Sequence, residues 1–288
     1  MRCALWGIMA LMSATLFIVA TPIGNLGDIT LRALDTLRSV AVIACEDTRH
    51  ARRLLEHYAI PTPLLTLHQH NEREAAEKLI ARLMKNENVA LITDAGTPGI
   101  SDPGARAIEA VRQAGFRVSP LPGPNAAIAA LSAAGLTGPF CFIGFLPQKV
   151  GARRAALARL NALPAALVFY EAPHRIAECL ADLVALFEPE REIVIARELT
   201  KVFEQIERMP LAHAPAWLAA DDHRRRGEFV LILSAPPPRS GWDAASERIL
   251  KLLLAELPLK QAVRLASAIL DQPKKALYQQ ALRLQAGG

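Results

Sequence analysis

The chain is short of aromatic residues, short of cysteine and, beyond its N-terminal segment, without any long apolar run, and each shortage removes a class of protein. Aromatic residues make up only 5% of the 288 residues although apolar residues make up 52%. That bulk is Ala, Leu, Ile and Val, the material of helices layered on sheets rather than of an aromatic-rich all-β fold. The four cysteines, Cys3, Cys45, Cys141 and Cys179, are widely separated and three lie in apolar runs. They suggest neither a disulfide framework nor a zinc knuckle, and a reducing cytoplasm is the simplest expectation. Apart from the N-terminal segment, no stretch approaches the ~20 uninterrupted apolar residues of a membrane span. Residues 1–14 carry one positive charge and an apolar stretch in the manner of a short signal peptide. Cleavage after Ala14 would start the mature chain directly in the first core strand, and Met9 or Met12 could equally be the start. No repeat or low-complexity tract is present. The net charge of +5 permits an anionic partner without requiring one.

What the sequence does contain is alternation. Strand-like runs at Leu16–Ala20, Val40–Ala44, Val89–Thr93 and Val118–Leu121 interleave with helix-like stretches at Ile29–Arg38, Thr48–Tyr58, Glu72–Lys85 and Pro103–Gln113. Asn71 with Glu74 three residues later has the form of a capping box for the third helix. Gly135 to Pro139 interrupts the pattern as a linker. A second set follows, with strands at Phe142–Phe145, Ala166–Tyr170, Glu192–Ala196 and Phe229–Leu233, and helices near Arg153–Leu160, Pro173–Leu186 and Leu211–Ala219. Pro236-Pro237-Pro238 stops the last strand. Three short helices, Ala244–Leu257, Leu259–Leu270 and Pro273–Leu282, complete the chain. The expected organisation is α/β: an extension over 1–14, two α/β domains over 15–134 and 139–236 with a cleft between them, and a helical appendage over 240–288.

Three loops carry the chemistry. Ala20-Thr21-Pro22-Ile23-Gly24-Asn25-Leu26-Gly27-Asp28, Asp94-Ala95-Gly96-Thr97-Pro98-Gly99-Ile100-Ser101-Asp102-Pro103-Gly104 and Pro122-Gly123-Pro124-Asn125-Ala126 each follow a strand. Ligands of open parallel sheets settle beyond the carboxyl ends of the strands, where glycines let backbone amides approach. Asp28, Asp94 and Asp102 would repel a nucleotide phosphate and favour a cationic or hydroxyl-rich ligand. A glycine turn alone serves packing as readily as binding; three converging turns are harder to explain by packing. His68, Gln69 and His70 lack metal-ligand spacing, and no metal is expected.

These loops, with Cys45-Glu46-Asp47-Thr48-Arg49, Phe169-Tyr170-Glu171-Ala172-Pro173-His174-Arg175 and Arg197-Glu198-Leu199-Thr200-Lys201, resemble the tetrapyrrole methylase superfamily. Within it, the chain is most similar to the members that methylate a cytidine 2′-hydroxyl in small-subunit (16S) ribosomal RNA. The resemblance covers roughly residues 15 to 236. It implies S-adenosylmethionine in a cleft between two α/β domains, a homodimer, and 16S rRNA or the small ribosomal subunit as partner. Carried over by position, it implies cofactor contacts at Pro22, Ile23, Gly24, Asp94, Ala95, Gly96, Ile100, Ser101, Asn125, Ala126, Tyr170 and Glu171. The porphyrin-modifying members instead carry Gly-x-Gly-Pro-Gly-Asp in the first loop and Gly-Gly-Asp-Pro in the second, which argues against a tetrapyrrole substrate. A small-molecule methyltransferase and a noncatalytic RNA-binding protein on the same scaffold remain alternatives.

Methyl transfer to a ribose hydroxyl is an in-line displacement that requires positioning and removal of a proton. Glu171, His174 and Lys201 are the catalytic candidates, the last on condition of a depressed pKa, with Glu46, Asp47 and Glu198 as further proton acceptors. Each also has a plain structural reading as a strand-end ion pair or a helix-start carboxylate. Arg49, Arg52, Arg153, Arg154, Arg224, Arg225 and Arg226 are candidate phosphate contacts, though such clusters are usually solvated faces. Leu257 to Tyr278 resembles a helix-turn-helix, which reads nucleic acid or merely packs.

Overall fold

The computed structural model describes residues 14–68, 71–161, 163–237, 244–270 and 272–286. Residues 1–13 of the signal-like segment 1–14, with Gln69 and His70, lie outside the described residues. The chain divides into two compact units, one ending at Pro236 and one beginning at Pro237.

The first unit holds two five-stranded sheets. β1 (Thr15–Val19), β2 (Val42–Cys45), β3 (Leu64–Thr66), β4 (Val89–Leu91) and β5 (Arg117–Leu121) form an all-parallel sheet in the order β3-β2-β4-β1-β5. Each central strand is apolar on both faces because helices cover both. Leu16, Ile18, Val42, Ala44, Val89 and Leu91 pack on one side, and Val19, Ile43, Cys45, Ala90 and Ile92 on the other. The helices are α1 (Leu31–Ser39), α2 (Thr48–His57), α3 (Glu72–Met84) and α4 (Ala105–Gln113). Thr30 Oγ1 caps α1 by accepting from the Ala33 N–H at 3.1 Å, and Asp47 caps α2 by accepting from the Arg49 N–H at 2.8 Å.

The capping box expected at α3 does not form. Asn71 Oδ1 instead accepts from the His68 N–H at 2.7 Å, ordering the preceding turn, and Glu74 pairs with Lys78. A chemically better placed carboxylate takes over elsewhere: Glu72 accepts from the backbone N–H groups of Gly104 and Arg106, at the start of α4.

α5 (Ala126–Ala134) leads from the first sheet to the second and packs on the second, with Ala127, Ala130 and Ala134 against Val168, Val194, Val230 and Ile232. Its alanine face hides it from helix periodicity, so the sequence reading passes over it and assigns its residues to the first domain. The second sheet comprises β6 (Phe140–Phe145), β7 (Ala166–Glu171), β8 (Glu192–Arg197), β9 (Gln205–Pro210) and β10 (Phe229–Leu233), in the order β6-β7-β10-β8-β9. It is mixed: β6 and β7 run parallel, and β10 is antiparallel to both neighbours. α6 (Val150–Leu160), α7 (Ile176–Leu186) and α8 (Ala214–Ala219) accompany it, and the opposite face buries Leu167, Phe169, Ile193, Ile195 and Leu231.

The second unit is a three-helix cluster, α9 (Ala244–Glu256), α10 (Leu259–Leu270) and α11 (Lys274–Ala286), around Leu250, Val263, Ala266, Leu277 and Ala281. Among the described residues, no helix is long and apolar enough to cross a membrane.

Candidate functional site

Strands β4, β1 and β5 are neighbours, so their three following loops emerge side by side. Cross-links hold them in one layer. Thr21 and Gly96 exchange both backbone hydrogen bonds, at 2.9 and 3.0 Å. Thr21 Oγ1 donates to the Thr93 carbonyl at 2.9 Å, and Thr97 Oγ1 to the Pro124 carbonyl at 3.1 Å. Gly96 sits at φ +83°, a conformation that a side chain disfavours. At Gly123 a Cβ would come within 2.8 Å of the Ala20 Cβ, so first and third loops touch only because that position is glycine.

The second sheet closes the opposite side. Tyr170, at the end of β7, accepts a hydrogen bond from the Ala127 N–H at 3.1 Å and stacks edge-on with Phe142 and Phe145. Between these walls lies a cavity of about 300 Å³, at the lower end of the size of small-molecule sites. Loop residues Ile23, Ala95, Gly96, Ile100, Ser101, Asn125 and Ala126 line it, and Tyr170, Glu171 and Lys201 line the other side. All ten were singled out from the sequence.

Several others expected there stand apart. Pro22, Gly24 and Asp94 are not in the lining. Asp94 instead accepts from the Asp47 N–H at 3.3 Å, fixing the start of α2. Gly24 lies under the Lys201 side chain. His174 is exposed and also absent from the lining. Conversely, Thr97, Phe145, Leu199, Glu228 and Phe229 line the cavity without having been selected, and so does Asp102, which was named for its charge but not as a contact. Asp102 was visible in the second loop. Glu228 and Phe229 carried no signal, since an antiparallel pairing that sequence does not show brings β10 beside β7.

The charges of the site are distinct. Glu171 has a fully buried side chain; its Oε1 accepts from the Ala172 N–H at 2.9 Å and faces Arg175 Nε at 3.2 Å, while its buried Oε2 has no hydrogen-bond partner. Burial pushes Asp102 up to about 6, with Glu46 and Asp94 adding to the rise and the Thr93 hydroxyl opposing it. Burial and Asp94 likewise raise Glu46. The Arg49 side chain folds onto Asp47 and holds that carboxyl down at about 2. Burial and the Glu171 carboxylate keep the neighbouring Cys179 thiol protonated.

Lys201 corrects the expectation of a depressed pKa. Burial alone would lower it, but its ammonium reaches Glu198 at 2.8 Å and Glu228 at 2.9 Å, and these bonds raise it above that of an ordinary lysine. It is a fixed cation, not a base.

The arginine candidates separate as well. Arg153 is only 1% exposed, with Nε 2.6 Å from Asp182 and an amino group 3.2 Å from Glu178, so it braces α6 to α7 and has no face to offer a phosphate. Arg154 shares Asp182 but is half exposed. Arg224 stacks on Trp217, 4.7 Å from the ring centre, and donates to the Trp217 carbonyl. Arg49 lies on Asp47, while Arg52, Arg225 and Arg226 are exposed. Among the described residues, no group of three or more His, Cys, Asp or Glu is arranged to hold a metal ion.

Comparison with known proteins agrees with this architecture. Residues 15–215 match the Tetrapyrrole (Corrin/Porphyrin) Methylases family, and residues 240–285 match the RsmI C-terminal HTH domain. A ribosomal RNA small subunit methyltransferase I of Pseudomonas aeruginosa is 52% identical over 277 residues, covering 95% of this chain and 98% of the relative. One of Escherichia coli O157:H7 is 50% identical, over 94% and 95% of the two chains. Among solved structures, the methyltransferase CobJ aligns with a TM-score of 0.59 at 21% identity, over 80% of this chain and 98% of its own. A uroporphyrin-III C-methyl transferase from Thermus thermophilus complexed with S-adenyl homocysteine aligns at 0.54 and 18% identity, over 77% and 97% of the two chains. With a family match over most of the first unit and half-identical relatives along nearly the whole length, the chain belongs to the tetrapyrrole methylases and, within them, to the ribosomal RNA small subunit methyltransferase I family.

Proposed function

We propose that this protein transfers the methyl group of S-adenosylmethionine to a cytidine 2′-hydroxyl of small-subunit (16S) rRNA, in the cytoplasm and as a homodimer. The observation that carries the reading is the cavity itself: three glycine-bearing strand-end loops on one side, and Tyr170, Glu171 and Lys201 on the other. The residues present fit the cofactor. Asp102 and Glu171 favour a sulfonium cation over a phosphate, and Ile23, Ile100 and Leu199 offer apolar surface. When bound, S-adenosylmethionine supplies a methyl group on positively charged sulfur, open to displacement by an oxygen nucleophile. Neither alternative substrate class has a comparable claim, because the half-identical relatives bear an rRNA methyltransferase name and the porphyrin-type loop sequences are absent.

The chain's contribution is positioning and proton removal. Tyr170, held by the Ala127 amide, keeps the second sheet against the third loop and shields the cavity from water. Lys201, clamped by Glu198 and Glu228, presents a fixed positive charge that orients the incoming ribose–phosphate segment. Glu171, whose side chain is buried beside Arg175 and must turn toward the cavity to act, accepts the proton that the 2′-hydroxyl gives up. Arg49, Arg52, Arg154, Arg225 and Arg226 hold RNA phosphates. The test is to incubate the protein with methyl-labelled S-adenosylmethionine and naked rRNA, assembled small subunits or porphyrinogens, then map the label by nuclease digestion and mass spectrometry. Label on a cytidine ribose is expected. Label on a porphyrinogen alone, or cofactor binding with no transfer, would overturn the reading.

A further inference from the structure

The turn over 198–204 joins β8 to β9 and presents two adjacent, strongly exposed apolar side chains, Val202 at 92% and Phe203 at 73%. A mobile loop would explain such exposure, but this turn is braced. Glu198 and Thr200 are both held in the left-handed region, at φ 51° and 64°, and non-glycine residues stay there only where their surroundings over-determine the backbone. The surroundings do. The Lys201 N–H donates to the Glu198 carbonyl at 3.0 Å, the Glu204 N–H to the Lys201 carbonyl at 3.1 Å, and the Thr200 N–H to the Glu204 carboxylate at 2.6 Å.

A second bracing runs sideways. The buried Arg197 guanidinium donates to the Phe203 carbonyl at 3.4 Å and also to the carbonyls of His223 and Arg226 at 3.0 to 3.2 Å. Glu198 Oε1 accepts from the Glu228 N–H at 3.0 Å, and Gly227, at φ +90°, leaves room for the Glu198 side chain. The Phe203 turn and the arginine turn are therefore one rigid block. Its inner residues, Leu199, Lys201 and Glu228, line the cavity; its outer residues are an exposed aromatic ring and the exposed Arg225 and Arg226. Glu198 and Glu228 are engaged on Lys201 and Glu204 on the Thr200 amide, while Asp222 of the arginine turn is exposed.

We propose that Phe203 is a stacking platform for an unpaired RNA base next to the target ribose, with Arg225 and Arg226 taking the adjoining phosphates. The proposal rests on RNA being the substrate. An aromatic face beside arginines at the mouth of a site is the combination that holds single-stranded nucleic acid, because every base offers a π-face and every nucleotide a phosphate. Rigidity makes the platform useful: a ring that does not have to be ordered on binding fixes the strand's register.

The test compares the full-length parent with Phe203→Ala, Phe203→Trp, Phe203→Leu and Arg225→Ala/Arg226→Ala. Anisotropy of a fluorescein-labelled single-stranded fragment of 16S rRNA measures RNA binding without turnover, methyl transfer gives KM and kcat, and sedimentation velocity gives the oligomeric state. Phe203→Ala should weaken RNA binding and raise the rRNA KM by about tenfold or more, on the scale of losing one stacked base. Its kcat at saturating RNA, its cofactor affinity and its oligomeric state should match the parent, and Phe203→Trp should restore binding to within about threefold of the parent. RNA affinity of Phe203→Ala within about threefold of the parent overturns the platform. So does full restoration by Phe203→Leu, which would indicate a merely apolar contact, or loss of an oligomer in Phe203→Ala, which would make this surface a contact between copies. If the parent transfers no label to rRNA, the proposed activity fails, while the anisotropy comparison still decides the platform.

Discussion

The side chain of Lys201 crosses directly over the α-carbon of Gly24: a Cβ at Gly24 would lie 2.5 Å from Lys201 Cγ and 3.0 Å from the Leu199 carbonyl oxygen. A glycine of the first loop thus sets how closely the cation of the second sheet approaches the cavity. Gly24→Ala should displace the Lys201 side chain and raise the RNA KM, in the same direction as removing that cation, with turnover at saturating RNA close to the parent's. Calorimetric unfolding should show little change, because Gly24 is exposed. A parent-like RNA KM would remove Lys201 from the site.

Glu171, Lys201 and His174 separate by position. Glu171→Gln keeps the shape but removes the proton acceptor, and single-turnover methylation at saturating RNA and cofactor should fall by about 100-fold or more. Lys201→Met should act mainly on RNA KM, since a fixed cation binds rather than deprotonates. His174→Ala, at an exposed residue outside the cavity lining, should stay within about threefold, well below the general-base range. A large loss there with none at Glu171 would reverse the assignment.

Asp102 makes cofactor binding pH-dependent. Its carboxyl titrates at about 6, raised first by burial and then by Glu46 and Asp94, and a sulfonium favours the ionised form. Affinity should therefore rise as pH climbs through 6, by about tenfold between pH 5 and pH 7. The stability sign is opposite. Between the unfolded carboxylate value near 4 and the folded value, the native state holds the extra proton, so stability falls as pH rises across that window. Asp102→Asn should flatten both profiles, read by calorimetric titration and by denaturant melts at pH 4, 5, 6 and 7.

Arg153 of α6 and Arg225 of the turn before β10 should behave differently. Arg153→Ala leaves Asp182 buried with one partner fewer, and loss of one member of a buried pair costs about 3–5 kcal/mol. Denaturant unfolding should show that loss, while the salt dependence of RNA binding stays at the parent slope. Arg225→Ala should do the reverse, leaving stability intact and lowering the slope by up to about one unit. Equal slopes for Arg225→Ala and the parent would make that arginine ordinary solvated surface.

Much of the site was legible because its parts are short and local. A loop such as Asp94 to Gly104 announces itself through glycine and proline, residues chosen for backbone geometry that no side chain substitutes for. The β-α alternation, the strand Phe229–Leu233 and the helix Leu259–Leu270 were equally local, set by runs of apolar residues and their spacing. β3 and β9 were missed: the first is three residues long, and the second, Gln-Ile-Glu-Arg-Met-Pro, is an edge strand with too little burial to leave an apolar pattern.

By itself, then, the sequence determined the element types, the loops that end β1, β4 and β5, and the family motifs that named the cofactor, since each is written in neighbouring residues. Only the tertiary structure decided which charges are free to act. Lys201, Arg153 and Arg225 carry the same charge, yet the first is clamped by Glu198 and Glu228, the second is buried on Asp182 and the third faces solvent. Those differences arise from partners 3, 27 and 29 residues away along the chain. Proximity of that kind is set by how strands pair and helices pack, and a side chain's pKa and accessibility follow from it rather than from its own identity.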